Sequence, residues 1–137
     1  MKDFDEILLR RGHYLMLHLP CNRDGNHSPL IYVCMFFESG EKGEQTARKY
    51  AEEVISNGGV PVFPFQMYKA IFPETNRLMV SFIQSMALRI LKECDEVWVF
   101  GDRLSGFMMD EISLATAFDI PVRYVNGLKE KEDSADE

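Results

Sequence analysis

Positive charge, paired cysteines and long apolar runs are all scarce in this sequence, and each scarcity excludes something. Lysine and arginine number 15 against 22 acids, a formal charge of −7. Such a balance repels phosphate backbones, and no basic stripe interleaved with aromatics occurs, so no nucleic-acid partner is expected. Three cysteines, Cys21, Cys34 and Cys94, are odd in number and far apart. No pair has the spacing of a zinc site or a redox dithiol, and they read as reduced thiols of a cytoplasmic protein. No apolar run approaches the roughly 18 residues that span a bilayer. The first residues, "MKDFDEILLRRGHYLMLHLP", start with acids and lack the basic-then-apolar order of a signal peptide. Neither a membrane partner nor export is expected. GxGxxG and GxxxxGKS/T are both absent, which argues against a dinucleotide cofactor and a P-loop. His13, His18 and His27 have no convincing acid or cysteine partner, so the expectation is no metal and no cofactor.

What is present is enough for one domain. At 137 residues, with 46% hydrophobic and 27% charged residues, the chain can bury a core. Apolar runs of strand length alternate with segments of helical period. Residues 30–36, "LIYVCMF", read as a strand buried on both faces. Residues 44–57 read as a helix through Ala47, Tyr50, Ala51, Val54 and Ile55, stopped by Gly58 and Gly59. "SGEKG", 39–43, reads as a flexible turn before it. Residues 60–63 resume as a short strand ended by Pro64, and 65–74 read as an aromatic-rich loop. Residues 75–94 predict a long helix with Leu78, Met79, Phe82, Met86, Ile90 and Leu91 inward. Residues 96–100 and 120–125 are the remaining strands.

Strands separated by helical crossovers predict parallel β-α-β units. The expected fold is α/β, a three-layer, doubly wound, flavodoxin- or Rossmann-like sandwich with a mostly parallel sheet of four to five strands. Ligands of such sheets sit beyond the carboxyl ends of the strands, where strand order reverses. The chain divides into an N-terminal extension (1–29), partly ordered, a domain (30–126), and a tail (127–137) too poor in apolar residues to order. Within the extension, 3–11 suggests a helix and 15–19 an edge strand.

One acid stands out. In "CDEVWVFGDRLSGFMMDEISLA", Ser105 or Gly106 is the natural cap of the last helix, and Ser105 reads first as that cap. Glu111 lies six residues on, too far for a capping-box acid. Helical spacing puts it on a face with Phe107, Met108, Leu114, Ala115 and Phe118. A carboxylate against apolar surface must be paired, with Arg103 or Arg77 as candidates, or functional.

These stretches resemble the nucleoside 2-deoxyribosyltransferase-like superfamily, and within it a small bacterial and phage family with the signature "CDELWVFG" followed by a Ser/Gly loop and an "EI..A" helix. "CDEVWVFGDRLSG", "DEISLA", "IPVRYV" and "IYVC" carry the resemblance, over residues 30–125. It implies Glu111 as the nucleophile toward the anomeric carbon of a nucleoside or nucleotide, and Tyr32 as the residue orienting it. It implies ligand contacts at Ser105, Gly106, Asp102, Met35, Phe36 and Glu38. The 65–74 segment has aromatics of its own, Phe65, Tyr68 and Phe72, which either stack on a base or simply pack under the loop. Serine at position 105 matches relatives that act on nucleotides. The partner implied is a small nucleotide or nucleoside, and the assembly a homodimer or higher homo-oligomer. Two departures stand against a simple transfer: Glu38 falls where relatives place an arginine, and Phe107 where they often place glycine. Three readings follow: an N-glycosidic bond hydrolase or deoxyribosyltransferase-like enzyme working through a glycosyl-enzyme intermediate, a non-catalytic module that senses or sequesters a nucleotide-derived molecule, and an interaction protein with a vestigial pocket.

Overall fold

The four apolar segments form strands, and their order in space departs from their order in the chain. The computed structural model describes residues 28–72 and 76–125. Strands β1 (Leu30–Cys34), β2 (Val60–Val62), β3 (Glu96–Val99) and β4 (Val122–Tyr124) make one sheet in the order β2-β1-β3-β4, every neighbouring pair parallel. Helices α1 (Gly40–Ser56), α2 (Pro64–Ile71), α3 (Arg77–Leu91) and α4 (Gly106–Ala117) connect them. This is the expected α/β three-layer arrangement. The expectations for residues 1–27, the three histidines among them, and for the tail lie outside the described residues.

Period two along the central strands divides the core. Ile31, Val33 and Met35 of the β1 segment and Trp98 and Phe100 at β3 pack with Ala47 and Val54 of α1. Tyr32 and Cys34 face the other way, with Val97 and Val99, onto Leu91 of α3 and Met108 and Ala115 of α4. Among the described residues α1 therefore covers one face, while α3 and α4 share the other. Strand order reverses between β1 and β3, the two central strands, so their carboxyl ends frame the crevice in which ligands of such sheets bind.

Local chemistry explains the helix ends. Gly58, at φ 87°, follows the last turn of α1; its amide bonds Ile55 O and the Gly59 amide bonds Val54 O, the paired closure that glycine permits. The edge strand β2 carries Pro61 at its centre. The Val60 amide points inward to Pro29 O, so alternation turns the backbone of Pro61 away from β1, to the outer side of β2.

Three expectations are corrected. Helix α1 starts at Gly40, so "SGEKG" is its first turn and not a flexible turn ahead of it; Gly43 lies so close to the preceding loop that a Cβ there would sit 1.8 Å from Glu38 O. Residues 64–71 form a helix in place of a loop, because Pro64, read as a strand breaker, is also favoured in the first helical turn, where its missing N–H costs nothing. The buried stripe of α3 is Ile83, Ala87 and Leu91. Leu78 (79% exposed) and Phe82 (60% exposed) face outward, as does half-exposed Phe118 after α4.

Candidate active site at the β1/β3 crevice

Glu111 is the sixth residue of α4, and it is buried, only 3% exposed. Helix α4 is aimed by its cap: Ser105 Oγ accepts from the Met108 amide at 3.1 Å, so the hydroxyl reads as the structural cap that its position suggested. From there Met108, Glu111 and Ala115 form the inward stripe. Opposite lies the Tyr32 and Cys34 face of β1. The Tyr32 hydroxyl donates to Glu111 Oε2, and the Cys34 thiol donates to Oε1 at 3.2 Å.

Neither arginine proposed as a partner reaches the acid. Arg103 stacks its guanidinium 3.8 Å above the Phe36 ring, and Arg77 begins α3 in an exposed position. Among the described residues, therefore, no cation offsets the burial of the Glu111 carboxyl. Burial pushes it up from 4.5 to about 7; the bonds from Tyr32 and Cys34 pull it back, and nearby Asp110 adds a smaller upward push. The donors shift upward as well. Burial, then the Glu111 charge and hydrogen bond, hold the Tyr32 phenol and the Cys34 thiol far above their usual ranges. Both stay protonated at neutral pH and face the carboxylate as donors.

Beyond the carboxylate lies a cavity of about 10 Å³, lined by Tyr32, Val33, Met35, Phe63, Phe65, Gln66, Phe107 and Glu111. That is room for one water-sized group, far below the roughly 300 Å³ at which ligand pockets begin. Phe65 and Phe107 line it in mutual contact, ring centroids 5.0 Å apart, and Phe37 meets Phe65 edge-on at 5.7 Å. On the far side of Gln66 a cleft of about 190 Å³ runs past Phe37, Glu38, Ser39, Glu44 and Lys69. Gln66 is buried and pinned at both ends to the Glu38 backbone: Nε2 donates to Glu38 O at 2.8 Å, and Oε1 accepts from Glu38 N at 3.4 Å. It divides the inner cavity from the outer cleft.

The other sequence-derived positions fall as follows. Met35 and Phe65 line the cavity beside the acid, and Phe107 narrows it. Phe36 lies under Arg103 and packs against the core cluster of Tyr32 and Cys34, lining neither hollow. Glu38 lines the cleft, with Lys42 Nζ 3.6 Å and Thr46 Oγ1 3.2 Å from its carboxylate. Gly106 opens α4 with free space around its Cα. Asp102 is exposed in the loop after β3, where its charge and that of Glu38 reinforce burial in raising the Tyr50 phenol. Tyr68, for which stacking on a base and packing under the loop were both open, lines neither hollow. Sequence reasoning missed Cys34 and Gln66. The signal for Cys34 was the strand period, which puts it on the face of Tyr32; that for Gln66 was a lone amide among the apolar residues "PFQMY". Among the described residues no group of three potential metal ligands occurs, and no helix is long and apolar enough to cross a membrane.

Residues 29–125 match the model of a family described as Domain of unknown function (DUF7768). No curated protein matches the chain.

Proposed function

We propose a reaction for this chain, which belongs to the DUF7768 family: cleavage of the N-glycosidic bond of a small nucleotide or nucleoside, with the Glu111 carboxylate as nucleophile. The observation that supports it is the buried hydrogen bond from Tyr32 to Glu111 at the carboxyl edge of the two central strands. A Glu111 oxygen forms a bond to the anomeric carbon while the carbon–nitrogen bond breaks. The base leaves with that electron pair and takes up a proton from solvent. Water then attacks the same carbon, loses a proton, and the ester oxygen departs as the regenerated carboxylate. A second base in place of water gives transfer. With its carboxyl near 7, Glu111 is ionised in about half the molecules at neutral pH, enough for a nucleophile.

Substrate access requires Phe65 and Phe107 to part. A phosphate-bearing substrate is favoured by Ser105 and the amide end of α4, with Arg103 on the same loop supplying the cation that Glu38 does not. Glu38 is engaged by Lys42 and Thr46.

The test is a panel of deoxynucleoside monophosphates and nucleosides, followed for free base. The wild type should release base from at least one. Glu111→Gln should abolish release while ligand affinity stays within about tenfold, because the amide keeps the shape but cannot form the ester. The small size of the cavity, about 10 Å³, favours a second reading, a module that binds a nucleotide-derived molecule without turnover. On that reading the wild type releases no base, yet a panel member raises its Tm by mass action.

A further inference from the structure

Tyr32 and Cys34 are two residues apart on β1, so both side chains leave the same face of the strand, toward α4. Their donors are a phenol and a thiol, long and short, and Glu111 comes down between them. Oε2 takes the phenol and Oε1 the thiol. Cys34 is fully buried and its sulfur also lies 3.9 Å from the Met108 carbonyl, one turn before Glu111 on α4. The reaction proposed above uses no thiol.

We propose that Cys34 is a positioning residue for Glu111: its S–H holds one carboxylate oxygen while Tyr32 holds the other, so β1 alone fixes the plane of the carboxylate and keeps it an acceptor. A carboxyl group held through one oxygen can swing about that bond, and held through both it cannot. An acceptor role at both oxygens also favours the ionised form, since the neutral acid has a proton on one of them and accepts more weakly there. As a statement about catalysis this rests on Glu111 being the nucleophile; as a statement about its orientation and its proton it does not.

Among the described residues the groups bearing on that proton are few. From β1 they are Tyr32 and Cys34, and from the acid's own helix Asp110. Helix α2 and the end of β2 present the uncharged Phe65, Gln66 and Phe63. Cys94, after α3, acts on Tyr32, and burial, then Asp95 and Glu93, push its thiol up to about 12, so it too stays neutral.

Two measurements test the assignment. The first follows the Glu111 carboxyl carbon by NMR through a pH titration of wild type, Cys34→Ala and Cys34→Ser. Loss of the donor in the alanine variant should raise the midpoint by about one pH unit. Serine, which restores a donor of similar size, should return it to the wild-type value or below. A packing role alone would leave the midpoint unchanged in the alanine variant, and that result overturns the proposal. The second needs no change at Cys34. In the infrared, the buried S–H stretch of the wild type should shift as Glu111 titrates, and the shift should be missing in Glu111→Gln. An S–H band indifferent to that titration also overturns it, even if the alanine variant fails to fold. Where base is released, the pH midpoint of release should move with the NMR midpoint across the series. If the NMR midpoint moves while no variant releases base, the reaction falls and the positioning role of Cys34 stands.

Discussion

At the residue scale the decisive fact is a buried carboxyl group with no cation beside it among the described residues. Its folded value of about 7 lies above the ordinary 4.5, so the folded state binds the proton more tightly than the unfolded chain. The stability it contributes is therefore complete below about pH 4.5 and lost as pH rises to about 7, roughly 3 kcal/mol over the window. Glu111→Gln carries no such cost. Urea unfolding of both proteins at several pH values should show the variant gaining on wild type between pH 5 and 8; a difference flat with pH would refute the buried, proton-binding acid. Tyr32→Phe removes one of two donors and should raise the midpoint further, so that base release at pH 7 falls and recovers at higher pH. A loss uniform across pH would instead mean that Tyr32 acts only through packing. Base release by the wild type should itself rise with pH through about 7, since only the ionised form attacks.

At the scale of elements, alternation of apolar strands with helical segments was readable because a parallel sheet covered on both faces demands near-continuous apolar strands, as in "IYVC" and "EVWVF". Glu111 was readable for the complementary reason: a charge on an apolar stripe conflicts with the pattern around it. The inward face of α3 was not readable, because "RLMVSFIQSMALRIL" carries apolar residues on more than one stripe, and periodicity cannot choose between stripes of equal quality. Packing chose Ile83, Ala87 and Leu91. Ile83→Ala should therefore cost about 2–5 kcal/mol, and Phe82→Ser no more than about 0.5; equal costs in chemical denaturation would place both residues inside. Helix α2 was missed because one residue, Pro64, can end a strand and begin a helix. Gly43 gives a test of the opposite sign to helix propensity. Alanine within a helix ordinarily adds up to about 1 kcal/mol over glycine, but here the new methyl would strike the Glu38 carbonyl. Gly43→Ala should lower the Tm; an increase would mean that α1 and that loop stand further apart.

At the scale of the whole molecule, the site joins residues 79 positions apart, Tyr32 and Glu111, so it exists only once the two central strands lie side by side. Its lining is a property of the assembled layers too, since Phe65 comes from α2 and Phe107 from α4. Phe107→Ala should widen the cavity and strengthen binding of a nucleoside-sized ligand on either functional reading; calorimetry showing weaker binding would mean the ring is a contact surface for the ligand and not an obstruction. Pro61, at the centre of the edge strand, reaches beyond the site. Its ring nitrogen stands where the three-residue strand would otherwise present its one outward amide. A strand from another chain arriving at that border finds no donor to pair with. Among the described strands β2 is the border on that side, and its one outward donor is removed by an imino acid; Pro61→Val, which fits the same strand but restores the donor, should make the protein more prone to fibrillar aggregation without unfolding it.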